Sequence, residues 1–513
     1  MDKKHGLPLS LVVLCLAIYL ITLGGKFHSI DEDLYLRMTH SLARKGSFAI
    51  TPIEYAPGFS TVRGLDGQFY ANRGPGWPIA SLPFFRLGDA LTSFGPGYTE
   101  PSRDGIADPT VFTLAVTLGN TLIVTLTVAL LYASLTRLGY RDRTAAAVSL
   151  LFGLGTMAWP YASKSYFGEP LLMLCTLGSF YFALRFRLDA EAHQRPNYAF
   201  LGLCCFCLGY AILTKVTAIA LLPFLAWYLL SASLKAQLDR RRLALAALFF
   251  GAVGLCFIGV LIWYNVARFG SPFKTGYEIE GFGTESLLIG DPVGLLIGLY
   301  GLLLSPGKGL LFHALPIVAA IAGIGRIWSS RRQETVFILG VCATTVLGVA
   351  LWRDWSGGWC WGPRLILNVL PLLMIPAAAA VEAWSVSHRS WQRRIWLALL
   401  ALGFASQLVG VLPDYLAWYL RVGRYDLIYY NPWYAPFRGH LEAIMRGEID
   451  LFWMKTDIFF PGAGQFMGAL LVLLLAVVVA TAVGLVRYWN QSARKEVFVD
   501  ERANSVVKRP PSY

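Results

Sequence analysis

The residues most suited to chemistry stand directly after the first apolar run, Leu7 to Gly24. There the chain reads Ser29-Ile30-Asp31-Glu32-Asp33-Leu34-Tyr35. Ser29 with Glu32 three residues on has the spacing of a capping box, and acids in a first turn suit the helix dipole. Three acids at one helix start exceed what a cap requires. A carboxylate at a membrane boundary is able to take the proton of an attacking hydroxyl. Lys215, in Leu213-Thr214-Lys215-Val216, falls between two apolar runs. An ionisable residue at membrane depth is costly and points to function, a cost that disappears if the span ends there. Trp352 to Arg364 holds four of the 16 Trp. Interfacial belts enrich Trp. Belts do not need Gly357-Gly358 or Gly362-Pro363, which permit tight turns close to a ligand.

The elements that must position these residues are apolar helices. The chain has 513 residues, 56% apolar and 15% charged, with mean hydropathy +0.54. A soluble protein carries roughly 25% charged residues. The composition excludes a disordered chain and a set of soluble domains. Runs long enough to cross a bilayer fall near 7–24, 109–136, 144–160, 168–186, 198–214, 216–232, 244–265, 294–325, 335–352, 364–383, 396–413 and 466–488. The run at 294–325 is broken by Ser305-Pro306-Gly307. The fold class predicted is an all-α polytopic membrane protein with about twelve transmembrane helices. Leu34, Met38 and Leu42 recur on one helical face, and Gly46 is a stop signal. This segment predicts an amphipathic helix lying in the membrane surface.

Alternate connections are short and basic, and together with the two tails they carry more than half of the 44 Lys and Arg. The positive-inside rule places them in the cytoplasm, with both termini. The net charge of +13 is therefore mostly orientation, and it is too dispersed for nucleic acid. The opposite connections, about 25–108, 266–293, 353–363 and 414–465, face outside. Residues 1–489 form one transmembrane domain. Residues 490–513 are a polar cytoplasmic tail ending in Arg509-Pro510-Pro511, expected to lack regular structure. Cys204-Cys205-Phe206-Cys207 reads as helix packing, and no His pair has metal-ligand spacing.

Asp31-Glu32-x-x-Tyr35 after a first transmembrane helix resembles the GT-C superfamily of membrane glycosyltransferases. The similarity is to the branch using polyprenyl-phosphate monosaccharides, with the protein O-mannosyltransferases and lipid A aminoarabinose transferases. Tyr70-Ala71-Asn72-Arg73-Gly74-Pro75-Gly76-Trp77-Pro78 resembles that branch's stretch before a second surface helix. Trp159-Pro160-Tyr161 through Phe167-Gly168-Glu169-Pro170 resembles its second outer loop, which carries an acid. Arg268-Phe269-Gly270-Ser271-Pro272-Phe273, Ser305-Pro306-Gly307-Lys308-Gly309 and Gly357-Gly358-Trp359-Cys360-Trp361-Gly362-Pro363-Arg364 are similar to bacterial members.

The resemblance implies transfer of a single sugar from a polyprenyl-phosphate donor to an acceptor hydroxyl at the outer membrane face. The acceptor is a glycan, lipid or protein, and the setting is cell-envelope assembly in a bacterial plasma membrane. Asp31 matches the catalytic Asp and is assigned the general base. Glu32 matches the neighbouring acid, orienting acceptor or Asp31, while Asp33 has no counterpart and reads as solvated. Glu169 fits the second acid, binding sugar or acceptor; read locally, it is also a cap beside Pro170. The leaving lipid phosphate needs positive partners. The candidates are Lys164, Lys215, Lys308, Arg353, Arg364 and Arg73. Tyr70, Trp355, Trp359 and Trp361 are the aromatic candidates for the donor site. One base with direct displacement inverts the anomeric centre. No cofactor is required, and a divalent cation at Asp31 and Glu169 is left open. Two other classes compete. A flippase of lipid-linked sugars would yield no product in detergent, and an O-antigen ligase or polymerase would place its main motifs in a late loop.

Overall fold

The computed structural model describes residues 6–24, 27–53, 60–93, 110–277, 291–385, 390–456, 462 and 464–507. The Arg509-Pro510-Pro511 end lies outside these residues. After α1 (Gly6–Ile21), helix α2 (Ile30–Lys45) starts on a complete capping box at Ser29 and Glu32. It ends at Gly46, whose φ of 61° is the left-handed conformation that favours glycine. On its apolar side Leu34 and Met38 are wholly buried in the protein core and Leu42 is half-buried. Helix α2 is thus packed into the protein over most of its length, where the sequence predicts a surface helix.

One departure from the all-α expectation follows. Three short strands, β1 (Ala49–Ile50), β2 (Thr61–Arg63) and β3 (Phe69–Ala71), form an antiparallel sheet in the order β1-β3-β2. Strands of two or three residues are too short to show alternation in the sequence. The sheet delivers Asn72 and Arg73 immediately after β3. Gly74 and Gly76 then press the chain against the backbone of residues 213 and 214. A Cβ at Gly74 would lie 2.3 Å from the Leu213 carbonyl oxygen, so this approach requires glycine. Helix α3 (Gly76–Ser93) follows and packs on α2 and on α4 (Thr110–Arg137).

The bundle continues with α5 (Asp142–Gly155) and α6 (Ala158–Lys164), bent by 56° from each other, then α7 (Glu169–His193) and α8 (Tyr198–Thr214). A 3-10 turn at Val216–Leu221 leads into α9 (Leu222–Lys235), followed by α10 (Arg240–Phe269). Next come α11 (Pro292–Leu303), α12 (Leu310–His313), α13 (Ile317–Ser330) and α14 (Arg332–Ala350). A second 3-10 turn, Arg364–Val369, opens α15 (Leu370–Ser385), and α16 (Ser390–Val411) follows. The late segment holds α17 (Tyr415–Val422), α18 (Tyr425–Tyr430) and α19 (Pro436–Met445) before the final helix α20 (Gly464–Val507). Eight described helices are long and apolar enough to cross a membrane, or nine with the bent α5–α6 pair. Four shorter apolar helices, α1, α8, α11 and α13, join them. The total is consistent with twelve spans, and the protein is an integral membrane protein. The broken run at 294–325 is three separate helices, and α20 carries regular structure to Val507, well into the expected tail.

The most hydrophobic windows of α10 and α20 are only 6% buried, as expected of helices facing lipid. Those of α4 and α7 are 67% buried, around fully buried Trp77, Trp159, Tyr166 and Phe167. The late segment is locked to this core by charge. Lys164 donates to the backbone oxygen and to Oδ2 of Asp450, the latter at 3.2 Å. His28 Nε2 lies 3.1 Å from that same Oδ2. Lys164 and Asp450 are nearly inaccessible to solvent. Truncating one partner strands a buried charge, which costs about 3–5 kcal/mol. Asp450→Ala is therefore expected to lower the unfolding temperature of the detergent-solubilised protein. An unchanged midpoint would show that this pair does not hold the segment.

Candidate active site

The site is built from the first turn of α2. Ser29 Oγ accepts from the Asp31 backbone N–H at 3.2 Å. Glu32 Oε2 accepts from the backbone N–H groups of His28 (2.7 Å) and Ser29 (3.0 Å), and Oε1 accepts from that of Tyr166 (2.7 Å). Burial pushes the Glu32 carboxyl up, against the opposing pull of His28 and of these N–H groups. Glu32 thus ties the start of α2 to the connection between α6 and α7. Asn120 donates to the carbonyl oxygens of Ser165 and Phe167, and Trp77 Nε1 to that of Tyr166, fixing the same connection from two further helices. Hydrogen bonds to a charged group contribute about 1.5–3 kcal/mol each. Glu32→Ala is expected to lose several kcal/mol of stability in a thermal or denaturant titration. A variant as stable as the parent would return Glu32 to the catalytic candidates.

With the helix start held, Asp31 sits between two guanidinium groups. Its Oδ1 is 2.6 Å from Arg73 and its Oδ2 2.5 Å from Arg364. Arg73 also donates to Tyr277 Oη at 2.8 Å, to Ser60 Oγ at 3.1 Å and to Asn72. Arg364 lies 4.1 Å above the Phe167 ring, and its Nε is 3.5 Å from Glu169 Oε1. Lys215 Nζ is 3.7 Å from that same Oε1. Two carboxylates and three cations, drawn from five distant stretches of sequence, therefore form one cluster. Burial alone would raise the Asp31 carboxyl; Arg73 and Arg364 outweigh it and hold it well below the usual carboxylate range.

The cluster lines a cavity of about 1770 Å³. One wall is apolar: Leu172, Ile212, Leu221, Leu261 and Val349. The other is aromatic: Trp355, Trp359, Tyr425, Tyr429 and Tyr430. Six basic side chains line the space (Arg37, Arg73, Lys215, Arg268, Arg353, Arg364) against four acidic ones (Asp31, Asp33, Glu169, Asp354). Lys215 caps the end of α8, and its side chain is 28% exposed, so it sits at a span boundary facing Glu169.

The cavity gathers Asp31, Glu169, Arg73, Lys215, Arg353, Arg364, Trp355 and Trp359 from the sequence-derived set. Six expectations change. Lys164 is consumed by Asp450 and does not line the cavity. Lys308, fully buried, donates to the carbonyl oxygens of Gly358 (2.6 Å) and Cys360 (2.8 Å), so it pins the Trp-rich loop rather than meeting a phosphate. Tyr70 gives its hydroxyl to Asp66 at 2.7 Å and packs on Phe269 in the small sheet. Trp361 is wedged between His313 and His440, with Nε1 on Gln407. Glu32 is absent from the lining, and Asp33 pairs with Arg37 at 3.1 Å instead of being solvated. The sequence reading gives no site role to Ser60 or Asn368, quotes Asn72 and Tyr277 only within motifs, and places Tyr429 and Tyr430 only in a late loop able to suit a bulky glycan. Asn368 had a usable signal: it is a lone polar residue in Leu365-Ile366-Leu367-Asn368-Val369-Leu370.

The fold is that of the GT-C membrane glycosyltransferases, the class the motifs resemble. Residues 76–274 match the family described as dolichyl-phosphate-mannose-protein mannosyltransferase. That stretch holds Glu169 and Lys215 and begins beyond Asp31. Among solved structures, the archaeal oligosaccharyltransferase AglB from Archaeoglobus fulgidus, in complex with an inhibitory peptide and a dolichol-phosphate, is similar over 85% of this chain. The TM-score is 0.50 at 11% identity, and the present chain covers 60% of AglB. ArnT from Cupriavidus metallidurans, bound to undecaprenyl phosphate, is similar over 93% of this chain and 76% of its own, with TM-score 0.46 and 16% identity. A sequence comparison with curated proteins finds no match.

Proposed function

We propose that the protein is an inverting glycosyltransferase that moves one sugar from a polyprenyl phosphate to an acceptor hydroxyl. The observation that carries this reading is the position of Asp31. It is a buried carboxylate between two arginines, in a cavity with an apolar wall for a lipid chain.

The donor is a phosphodiester with one negative charge. As the glycosidic bond breaks, the phosphate becomes a monoester and gains a second. Arg73, Arg364 and Lys215 are already clustered where that charge would develop, and preorganised cations stabilise it most in a site that excludes water. Arg364 and Arg73 present planar forks that suit phosphate, whereas Lys215 adds a point charge. The polyprenyl chain takes the apolar wall. Asp31 is a weak base while both guanidinium groups hold it. A donor phosphate competes for the same groups, and as it takes them the Asp31 carboxyl becomes more basic. The base is thereby activated only once the donor is seated. Asp31 then accepts the acceptor proton as its oxygen attacks the anomeric carbon. Direct displacement with Asp31 as the one base inverts the anomeric centre, and Glu169, paired with Arg364 and Lys215, is left to bind sugar or acceptor. The reading needs no metal, since both carboxylates already face cationic side chains.

The aromatic wall and the late segment behind it form the acceptor side. Orientation follows from charge. The termini of α7, α10 and α14 remote from the site carry Arg185, Arg187, Arg240 and Arg332. The positive-inside rule then puts the site outside the cell and both tails in the cytoplasm. A bacterial plasma membrane and an envelope glycan or glycolipid product fit this arrangement.

The test is a transfer assay with the full chain in detergent, a panel of labelled polyprenyl-phosphate monosaccharides, and an envelope extract as acceptor. We expect labelled acceptor together with free polyprenyl phosphate. Binding of donor with no product would favour a transporter.

A further inference from the structure

Three polar atoms around the cavity lack hydrogen-bond partners among the described residues. They are Glu169 Oε2, Asn368 Oδ1 and Arg364 Nε, the last in ion-pair range of Glu169 Oε1 at 3.5 Å but not hydrogen-bonded to it, and each is shielded from solvent. Glu169 and Asn368 are 7% and 4% exposed, and all three residues line the cavity. Burying such an atom unsatisfied is costly, so three on one cavity point to a partner that arrives with the ligand. Asn368 stands out because its side chain contributes no hydrogen bond to the fold. It lies four residues after Arg364 on the 3-10 segment Arg364–Val369 that opens α15. Asn368 therefore shares a short segment, kinked at Ile366, with the arginine that holds Asp31.

The orphaned set contains two acceptors and one donor. A phosphate only accepts and cannot satisfy Glu169 Oε2 or an amide oxygen of Asn368, whereas a hydroxyl meets either end of that amide. A polyprenyl chain satisfies none of the three. Adjacent sugar hydroxyls both donate and accept, and they complement all three atoms. We infer that Asn368, with Glu169 and Arg364, forms a subsite that reads the hydroxyl groups of the donor sugar. Asn368 is its specificity-determining residue. This rests on the donor reading given above and goes beyond it in naming what distinguishes one donor from another. A site built to hydrogen-bond a hydroxyl rejects analogues lacking it far more strongly than an apolar pocket rejects a misfit.

The test compares two probes on the full-length protein in detergent: undecaprenyl phosphate, and undecaprenyl-phosphate hexoses and pentoses. Asn368→Ala is expected to bind undecaprenyl phosphate within about twofold of the parent. It should bind the glycosylated lipid preferred by the parent about tenfold more weakly, the scale of one lost hydrogen bond, and with less discrimination among sugars. Its unfolding temperature should not fall, because the amide makes no bond to the protein. Equal weakening of both lipids, or a lowered unfolding temperature, would assign Asn368 to phosphate or to structure and overturn the proposal. Unchanged binding of both would overturn it as well. If the parent transfers sugar and Asn368→Ala keeps full discrimination, only this subsite fails. If the parent binds neither lipid, the donor reading fails with it.

Discussion

Asp31→Asn is expected to slow sugar transfer by about 10²- to 10⁴-fold while the protein still folds and holds its donor, the scale of one lost general base. The amide keeps the shape of the carboxylate and removes its proton affinity. It also removes the anion that competes with donor phosphate for Arg73 and Arg364. Donor affinity should therefore be equal or higher, with the loss confined to kcat. A fall in donor affinity would mean that Asp31 serves binding rather than proton transfer. The same variant makes a second statement, about stability. Because Arg73 and Arg364 hold the folded-state carboxyl below its unfolded value, the Asp31 ion pairs contribute stability fully above the unfolded carboxylate pKa of about 4. That contribution is lost as pH falls through the folded value. At neutral pH, Asp31→Asn should unfold at a lower temperature than the parent, and added undecaprenyl phosphate should recover much of the difference by mass action.

Arg364→Ala carries the next largest expected effect. Arg364 touches both carboxylates, stacks over Phe167 and shares the proposed phosphate site, so its loss removes charge stabilisation and loosens Asp31 together. Losing one preorganised donor costs about 10²- to 10³-fold in rate, and kcat/KM for the lipid donor should fall by at least this much. Arg364→Lys should recover only part of it, because an ammonium restores charge without the two-pronged contact. Lys164→Ala and Lys308→Ala should behave differently. Both lysines are spent on buried contacts within the protein, so stability should fall before donor affinity does. Weakened donor binding in folded Lys308→Ala would return that residue to the phosphate site.

What the sequence made legible was local or periodic. Asp31 was readable because its capping box lies within four residues and the apolar run before it fixes its depth. Spans and basic ends were readable because hydrophobicity and charge are properties of whole segments. Glu32 misled because its third partner, the Tyr166 N–H, is 134 residues away. Lys164 and Lys308 misled for the same reason: a lysine in a loop looks available until the fold closes Asp450 or the Gly358 carbonyl over it. Tyr70 and Trp361 belong to motifs that surround the site, and only packing decides which aromatic of a motif reaches it. Lys215 read equally well as buried or interfacial. The end of α8 decides for the boundary, where Glu169 meets it. Asn368 was overlooked although the argument used for Lys215, a polar residue in an apolar run, applied to it unchanged.

A density map of the full chain with undecaprenyl phosphate bound tests the central claim most directly. The account predicts phosphate density within hydrogen-bonding distance of Arg73, Arg364 and Lys215, with the lipid chain along Leu172, Ile212, Leu221 and Leu261. The Asp31 carboxylate should have given up at least one of its two arginines. Phosphate bound elsewhere, at Lys308 or Lys164 for instance, with Asp31 still held by both arginines, would contradict it.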